Sequence, residues 1–225
     1  MALNAVLLSQ SYDIVLKGGR VMDPETGLDA IRNIGIRGDR IMEITDKELT
    51  GKQIYEVNGL VIAPGFIDLH VHGMTNEAHE YQCRDGVTTA LELESGVPFL
   101  RDWIEAKRGK TIVNYGATVP HAVIRALAME RYMHHFKEAK KAIAEEGIQS
   151  PRLAKIEINL GSANYQAMTE DEIKNMASYF EDELAAGALG IGVPVGYYPG
   201  AKHGEIFKVY QYAANKKVPV FSHTR

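Results

Sequence analysis

The stretch APGFIDLHVHG, residues 63–73, is the part of this chain that decides its fold. An apolar run ends in His70 and His72, and because side chains alternate across a strand, both imidazoles leave the same face. Two neutral imidazoles that converge at a strand end supply half of a zinc site. A bare His-x-His pair can also be two unrelated histidines on a half-buried strand. Here the apolar residues before it, the Pro-Gly break and Gly73 favour metal binding.

Several segments together resemble the amidohydrolase superfamily. PGFIDLHVHG (64–73) resembles its first barrel strand, YDIVLKGGRVMDP (12–24) its opening β-structure and GVTT (86–89) the start of its second barrel strand. GALGIGV (187–193) and YYPG (197–200) are similar to the branch of N-acyl-D-amino acid deacylases, the D-aminoacylases. The resemblance implies a zinc-dependent hydrolase, with one or two ions, built on a TIM-type (β/α)8 barrel.

Composition excludes several classes of function. The chain has 225 residues, a net charge of -4 and a single cysteine, Cys83. It shows no basic footprint for nucleic acid and no apolar run near the ~20 residues that span a bilayer. The first residues lack the basic flank of a signal peptide, and one cysteine suits a reducing compartment, so we expect a cytoplasmic protein.

The residue pattern predicts an α/β chain in two parts. Short strands with turn residues between them, including a break at Gly18-Gly19 and a hairpin loop at Gly38-Asp39, predict the N-terminal part of a small β-sandwich domain over residues 1–60. From residue 61, strands alternate with helices, as in a parallel sheet. A (β/α)8 barrel takes ~250 residues, so we expect residues 61–225 to form the first half of a barrel whose C-terminal remainder is not in this chain.

The predicted elements of the second part are strands at 61–70, 87–94, 111–119, 187–195 and 218–223, with helices between them. Residues 121–146 predict one long helix. Thr169 and Glu172 form a capping-box pattern that predicts a helix start, and Gly187 predicts its stop.

Barrel enzymes place their active sites at the carboxyl ends of strands, which suggests further metal ligands. His223 ends the predicted strand 218–223, where the family carries its next ligand, although a hydrogen-bonded histidine is the alternative. Glu92 and Glu94 share one face of the second barrel strand, and two buried carboxylates are costly unless they are paired or metal-bound. Glu94, nearer the strand end, is the better ligand, for one ion or for two.

The second strand departs from the deacylase pattern. Those enzymes carry a cysteine ligand that falls on Ser95 here. A serine hydroxyl replaces a thiolate poorly, so Glu94 is predicted to take its place, which by strand alternation requires a bulge. Lys155 is the rival bridging ligand, as a carboxylated lysine, because residues 155–159 alternate polar and apolar as a strand does. Cys83 is expected to be a buried or idle thiol, and His79, His134 and His135 are expected on the surface.

Three residues are predicted on the substrate side. Tyr197 lies in a Gly/Pro-rich loop and matches a substrate-contacting tyrosine of the deacylase branch; loop packing is the alternative. His121 follows the third strand and resembles a Gly-His pair of the family, and this resemblance implies that it orients a substrate carbonyl. Arg225 is predicted to clamp a carboxylate in bidentate geometry, with a salt bridge as the alternative.

The predicted function is hydrolysis of the C–N amide bond of a small-molecule N-acyl-D-amino acid by a zinc-dependent deacylase. The resemblance places the proton-transferring Asp on the last barrel strand, beyond Arg225, so residues 1–225 alone are expected to be inactive. A cyclic amidase of the dihydroorotase or hydantoinase kind, or a deaminase, is the first alternative. A non-catalytic dihydropyrimidinase-like assembly protein is the second. No nucleic-acid or membrane partner is expected, and a homo-oligomer is possible.

Overall fold

The computed structural model describes residues 11–224, which divide into two compact units with the boundary after Gly65. The strands of the first unit are β1 (Tyr12–Asp23), β2 (Leu28–Arg37), β3 (Arg40–Thr45), β4 (Gly51–Glu56) and β5 (Val61–Ile62). They form one sheet in the order β3-β2-β1-β4, in which β5 also pairs with β1. Because of that pairing, the unit ends five residues later than the sequence suggests. A second layer, which a β-sandwich requires, stays a prediction.

The first unit corrects one predicted break and confirms one turn. Residues 12–23 form a single strand, whereas the sequence predicts two strands separated at Gly18-Gly19. The register shifts between Leu16 and Gly19, and Gly18 has φ +78°, so a bulge accommodates the glycines without ending the strand. The predicted two-residue hairpin loop at Gly38-Asp39 is confirmed, since Arg37 pairs with Arg40.

The second unit alternates strands and helices, as predicted. Its strands are β6 (Phe66–Asp68), β7 (Val87–Glu92), β8 (Asn114–Ala117), β9 (Val119–Pro120), β10 (Ile191–Val193) and β11 (Val220–Ser222). Its helices are α1 (Asn76–Arg84), α2 (Leu100–Lys107), α3 (His121–Ala128), α4 (His134–Glu146), α5 (Pro151–Leu160), α6 (Glu170–Ala185) and α7 (His203–Lys216), with 3-10 turns at Gly161–Tyr165 and Val195–Tyr197.

The strands of this unit form two parallel sheets that follow one another along the chain. One sheet has the order β6-β7-β8 and the other has the order β9-β10-β11. Only Thr118 separates β8 from β9, and its N–H donates to the Glu92 carbonyl at 3.1 Å while the next N–H, from Val119, donates to Gly190. The chain therefore crosses from one sheet to the next at Thr118. The fold is mixed α/β, and residues 66–224 contain no closed barrel.

The strands are shorter than predicted, most clearly at residues 61–70. This stretch splits into β5 in the first unit and β6 in the second, with Pro64 and Gly65 between them. Proline has no N–H to donate to a strand ladder, so the break falls where the sequence places Pro64.

The predicted long helix over 121–146 is wrong. It forms two helices, α3 and α4, because the chain between them turns inward. Met129 and Tyr132 in this turn are 2% and 5% exposed, and the Tyr132 hydroxyl lies 2.6 Å from Ser162 Oγ. Burying these two side chains outweighs the helical preference of the sequence.

The capping box at the start of α6 is confirmed. Thr169 N–H donates to the Glu172 carboxylate at 2.7 Å, and Glu172 N–H donates back to the Thr169 hydroxyl at 3.3 Å. Gly187, with φ +107°, follows the helix end as predicted. Helices α3, α6 and α7 bury a shared apolar core against β9 and β10, whose buried members are Val119, Ile124, Ala128, Met176, Phe180, Ile191, Val193, Val209 and Ala213. Among residues 11–224, none of the helices combines the length and apolar character that a membrane crossing requires.

Candidate metal centre

The two histidines of the opening motif lie just beyond β6. The chain stays extended there: Val71 N–H donates to the Leu91 carbonyl at 3.2 Å, and His70 forms an isolated bridge with Glu92. Val71 is 4% exposed, whereas the His70 and His72 side chains are 63% and 55% exposed. Alternation thus turns Val71 into the core and both imidazoles to the opposite side, as the spacing predicts.

Glu94 lies two residues beyond the end of β7, where the chain bends. Because the strand ends at Glu92, the alternation that required a bulge does not extend to Glu94. A close approach of β10 fixes the bend: a Cβ at Gly192 would lie 2.3 Å from the Glu94 carbonyl oxygen. Glycine at position 192 is therefore needed to seat Glu94, whose side chain is buried, only 8% exposed.

The structure brings all four predicted metal ligands together. The Glu94 carboxylate lies 2.6 Å from His70 Nε2, 3.6 Å from His72 Nε2 and 2.8 Å from His223 Nδ1. His223 directly follows β11, so the ligands arrive from three separate strands. The two Nε2 atoms of His70 and His72 are 3.2 Å apart.

This donor set fits a divalent metal ion. Although the imidazoles are close, neither Glu94 oxygen has a partner in hydrogen-bond geometry within the described part of the chain. A buried carboxylate in that state needs a cation or a proton donor. Zinc–nitrogen bonds of about 2.0–2.1 Å in tetrahedral geometry separate neighbouring nitrogens by roughly 3.3 Å, close to the spacing of the two Nε2 atoms. Three imidazoles and one carboxylate are also ligands that zinc accepts.

Glu92 has a role that the sequence analysis missed. Its Oε2 lies 2.8 Å from His72 Nδ1, and its Oε1 accepts the Ser95 N–H at 3.1 Å. This contact with the Glu92 carboxylate raises the pKa of His72. A carboxylate that accepts from Nδ1–H leaves Nε2 free for a metal, which is the usual orientation of a ligating histidine. The sequence signal for this role was the Glu92-x-Glu94 spacing, which places both carboxylates on one face of the strand.

The predicted substrate-side residues have three different settings. Tyr197 is 61% exposed, and its ring centroid lies 4.6 Å from that of His223, so it adjoins the metal ligands. His121 is fully buried at the start of α3, with Nδ1 2.8 Å from the Tyr198 hydroxyl and Nε2 3.3 Å from Glu205. Because its ring is fully buried, His121 is not placed as the predicted substrate contact would be. Arg225 lies outside the described residues.

Three secondary expectations are corrected. Lys155 lies on α5, not on a strand, and is exposed. The Ser150-Pro151 pair, which caps and opens this helix, was the overlooked signal. His79 is fully buried, not on the surface, and Cys83 is exposed, which excludes the first of its two predicted states, a buried thiol, and leaves the idle thiol as a prediction.

A second group of potential metal ligands lies on the first turn of α4. The ligand atoms of His134, His135 and Glu138 lie within 4.8 Å of one another, a convergence that the sequence analysis overlooked despite the i, i+4 spacing of His134 and Glu138. His135 Nδ1 is already 2.7 Å from the Glu138 carboxylate. A cation at a helix N-terminus also opposes the helix dipole, so this group fits a metal less well than the Glu94 cluster.

Comparison with known proteins gives relatives of one kind over most of the chain. No family model matches the chain. A D-aminoacylase of Alcaligenes xylosoxydans xylosoxydans is 26% identical over an alignment of 228 residues that covers 86% of this chain. A dihydroorotase of Streptococcus pneumoniae serotype 4 is 41% identical over 100 residues, which is 40% of this chain. The chain spans 40% of the length of that D-aminoacylase and 24% of that dihydroorotase.

A solved structure gives the same architecture. The N-acyl-D-glutamate deacylase of Bordetella bronchiseptica, in a complex with zinc and a phosphonate inhibitor, superposes with a TM-score of 0.71 at 21% identity, over 96% of this chain and 46% of that chain. At this identity the likeness is one of fold. The resemblance to amidohydrolases that the sequence motifs predict is confirmed by these relatives.

Proposed function

We propose that this chain, whose relatives over most of its length are D-aminoacylases and related amidohydrolases, forms the metal-binding part of a hydrolase that cleaves an amide bond of an N-acyl-D-amino acid. The finer fold in this proposal is the first half of a (β/α)8 barrel, preceded by part of a β-sandwich, with the boundary after Gly65 and not after residue 60 as the sequence predicts. Because the chain spans less than half of these relatives, activity belongs to the longer protein that contains it.

One observation carries the proposal: His70, His72 and His223, from distant parts of the sequence, surround the buried Glu94 carboxylate. We assign these four side chains as metal ligands and zinc as the ion, one or two per site. An arrangement of this kind has no structural purpose of its own, since a buried carboxylate and exposed imidazoles pack poorly against apolar side chains.

The chemistry follows from what each side chain does. A divalent ion, when bound, supplies Lewis acidity that polarises an amide carbonyl and activates water at neutral pH. Glu92 keeps the proton of His72 on Nδ1, so that Nε2 points to the ion. Tyr197, exposed beside His223, is proposed to contact the substrate. An acid that protonates the leaving amine is expected outside residues 1–225.

A cyclic amidase is the second candidate, because the dihydroorotase match has the higher identity, although over a shorter stretch. A carboxylated Lys155 would have favoured this candidate, but the exposed position of Lys155 on α5 gives it no support. The cytoplasmic location, inferred from the single cysteine, and the possibility of a homo-oligomer stay predictions.

The test is an assay of the full-length protein against matched N-acyl-D- and N-acyl-L-amino acids and a cyclic amide such as dihydroorotate, with zinc quantified in the same sample. We expect bound zinc and hydrolysis of the D-amide alone. Glu94→Gln should lose both, whereas Glu94→Cys, which gives position 94 the kind of ligand that the deacylases carry at the position of Ser95, should retain zinc. Zinc-free parent protein with no hydrolysis of any substrate would favour the non-catalytic assembly protein, and hydrolysis of the cyclic amide alone would favour the second candidate.

A further inference from the structure

A cluster of buried polar side chains lies beneath the loop between β10 and α7. Its members, here called the His121 network, are His121, Arg125, Tyr198 and Glu205, and none is more than 2% exposed. Burying an arginine, a glutamate and a histidine together is costly unless every group finds a partner. The contacts show what these groups hold.

Arg125, on α3, joins two segments that are distant in sequence. Its Nε and Nη2 donate to the two oxygens of Glu205 at 2.7 and 3.1 Å, a bidentate pair with the first turn of α7. Its Nη1 and Nη2 also donate to the backbone carbonyls of Ala163 and Gln166 at 2.7 and 2.8 Å. One guanidinium therefore fixes both α7 and the turn over 161–166.

His121 extends the network to the loop. Its Nε2 faces the Glu205 carboxylate at 3.3 Å, and its Nδ1 is 2.8 Å from the Tyr198 hydroxyl. Burial lowers the pKa of His121, so the ring is neutral with one donor and one acceptor nitrogen. Nε2 faces the carboxylate outside hydrogen-bond geometry, so the contact with the Tyr198 hydroxyl at Nδ1 is the hydrogen bond that ties His121 to the loop. The Arg125 guanidinium also lies 5.6 Å from the centre of the Tyr198 ring.

The residues on either side of Tyr198 reach the candidate metal centre and the turn over 161–166. Tyr197 lies against His223, with its hydroxyl 3.5 Å from Nδ1. Gly196 N–H donates to the His223 carbonyl at 3.1 Å. On the other side, Gly200 N–H donates to the Asn164 carbonyl at 2.8 Å. The loop is thus tied to a ligand-bearing strand end at one side and to the Arg125-bound turn at the other.

We infer that the His121 network is a positioning device that fixes the loop over 194–200 and so holds Tyr197 against His223. Its members do not reach the metal centre themselves and act through Tyr197. The last step, from Tyr197 to the affinity for zinc, rests on the proposed function. The first step, from the network to the loop, does not.

Tyr198→Phe tests the first step in the full-length protein, because it removes one hydroxyl and keeps the ring. Tyr115→Phe is the matched control, since its partly buried hydroxyl donates to a helix carbonyl, that of Ile104, instead. Hydrogen exchange followed by mass spectrometry should show about three- to tenfold faster exchange over 194–201 and 220–224 in Tyr198→Phe, the effect of one buried hydrogen bond. The control should leave these segments unchanged. Equal exchange there in parent and Tyr198→Phe, or faster exchange everywhere, would overturn the inference.

A double-mutant cycle on zinc affinity tests the second step. Tyr198→Phe should weaken zinc binding about three- to tenfold, and Tyr197→Ala should abolish this difference, because Tyr197→Ala removes the ring through which the network acts. Additive effects would mean that the network does not reach the metal through Tyr197, and would overturn this step. Failure of the parent to bind zinc would instead refute the proposed function, while the exchange result still decides the positioning role.

Discussion

Replacing Glu92 with glutamine tests whether this buried carboxylate keeps the proton of His72 on Nδ1 and so leaves Nε2 free to bind a metal. Glu92 is 5% exposed, with one oxygen 2.8 Å from His72 Nδ1 and the other accepting the Ser95 N–H. A carboxylate only accepts, so Nδ1 must carry the proton and Nε2 keeps its lone pair. Glutamine keeps the shape, but the Ser95 N–H retains the amide oxygen and leaves the amide nitrogen facing Nδ1. The ring proton is then favoured on Nε2, where the metal would bind.

Loss of a carboxylate that orients a metal-binding histidine usually weakens metal binding about 10- to 100-fold, or roughly 1.4–2.7 kcal/mol. The size of the loss should depend on pH. Glu92 raises the pKa of His72 in the metal-free protein, so protons compete with zinc at a higher pH in the parent than in Glu92→Gln. As the pH falls through that raised pKa, the parent loses affinity first. The difference between the two proteins should therefore be largest at alkaline pH and narrow toward acid pH.

The assay is a zinc titration of metal-free full-length protein against a competing chelator at several pH values. Glu183→Gln is the matched control, because Glu183 is a partly buried carboxylate that accepts hydrogen bonds from the backbone N–H groups of Phe99 and Leu100, not from a histidine. The control should bind zinc as the parent does. Affinity of Glu92→Gln within about twofold of the parent at alkaline pH, or a difference that widens toward acid pH, would refute the reasoning.

Three further changes have expected outcomes. Glu94→Gln removes a proposed ligand and should weaken zinc binding by more than the about 100-fold limit of an outer partner, which the same titration measures. His79→Leu should raise the free energy of unfolding in urea by about 1–3 kcal/mol, because both nitrogens of this buried ring lack partners among the described residues. Burial and, to a smaller extent, Lys107 lower the pKa of His79, so the parent loses stability as the pH falls below about 6.5. The stability gained by His79→Leu should therefore grow at acid pH, and a gain independent of pH would contradict this. Arg125→Met leaves Glu205 buried without its main partner and should lower the free energy of unfolding by about 3–5 kcal/mol. Adding Glu205→Leu should recover part of that loss. Equal urea midpoints for the parent and Arg125→Met would count against this prediction.

The side chains that the sequence suggests as metal ligands lie together in the structure, whereas several elements around them differ from the prediction. His-x-His at a strand end is a local pattern, since alternation alone places His70 and His72 on one side. The choice of Glu94 over Ser95 depended only on which side chain can replace a thiolate, and the structure brings Glu94 to three imidazoles. Roles that depend on distant partners were missed. The contact of Glu92 with His72 is of this kind.

Helix prediction failed where tertiary packing opposed local preference. Residues 121–146 have the composition of one helix, yet the burial of Met129 and Tyr132 divides it. The sequence predicts His121 as a substrate contact because it follows a strand and resembles a Gly-His pair of the family. Its burial between Tyr198 and Glu205 is decided by α7, some eighty residues later in the chain. Neither outcome is contained in the nearby sequence.

The sequence by itself determined the hairpin loop at Gly38-Asp39, the break at Pro64, the capped start of α6 and the side on which the first two histidines lie, because these depend on neighbours a few residues away. The tertiary structure alone decided that the Glu94 carboxylate lies beside His223 and that Arg125 is buried beneath the loop over 194–200. Those contacts join segments separated by many residues, and their free energy comes from burial and pairing that exist only once the strands have come together.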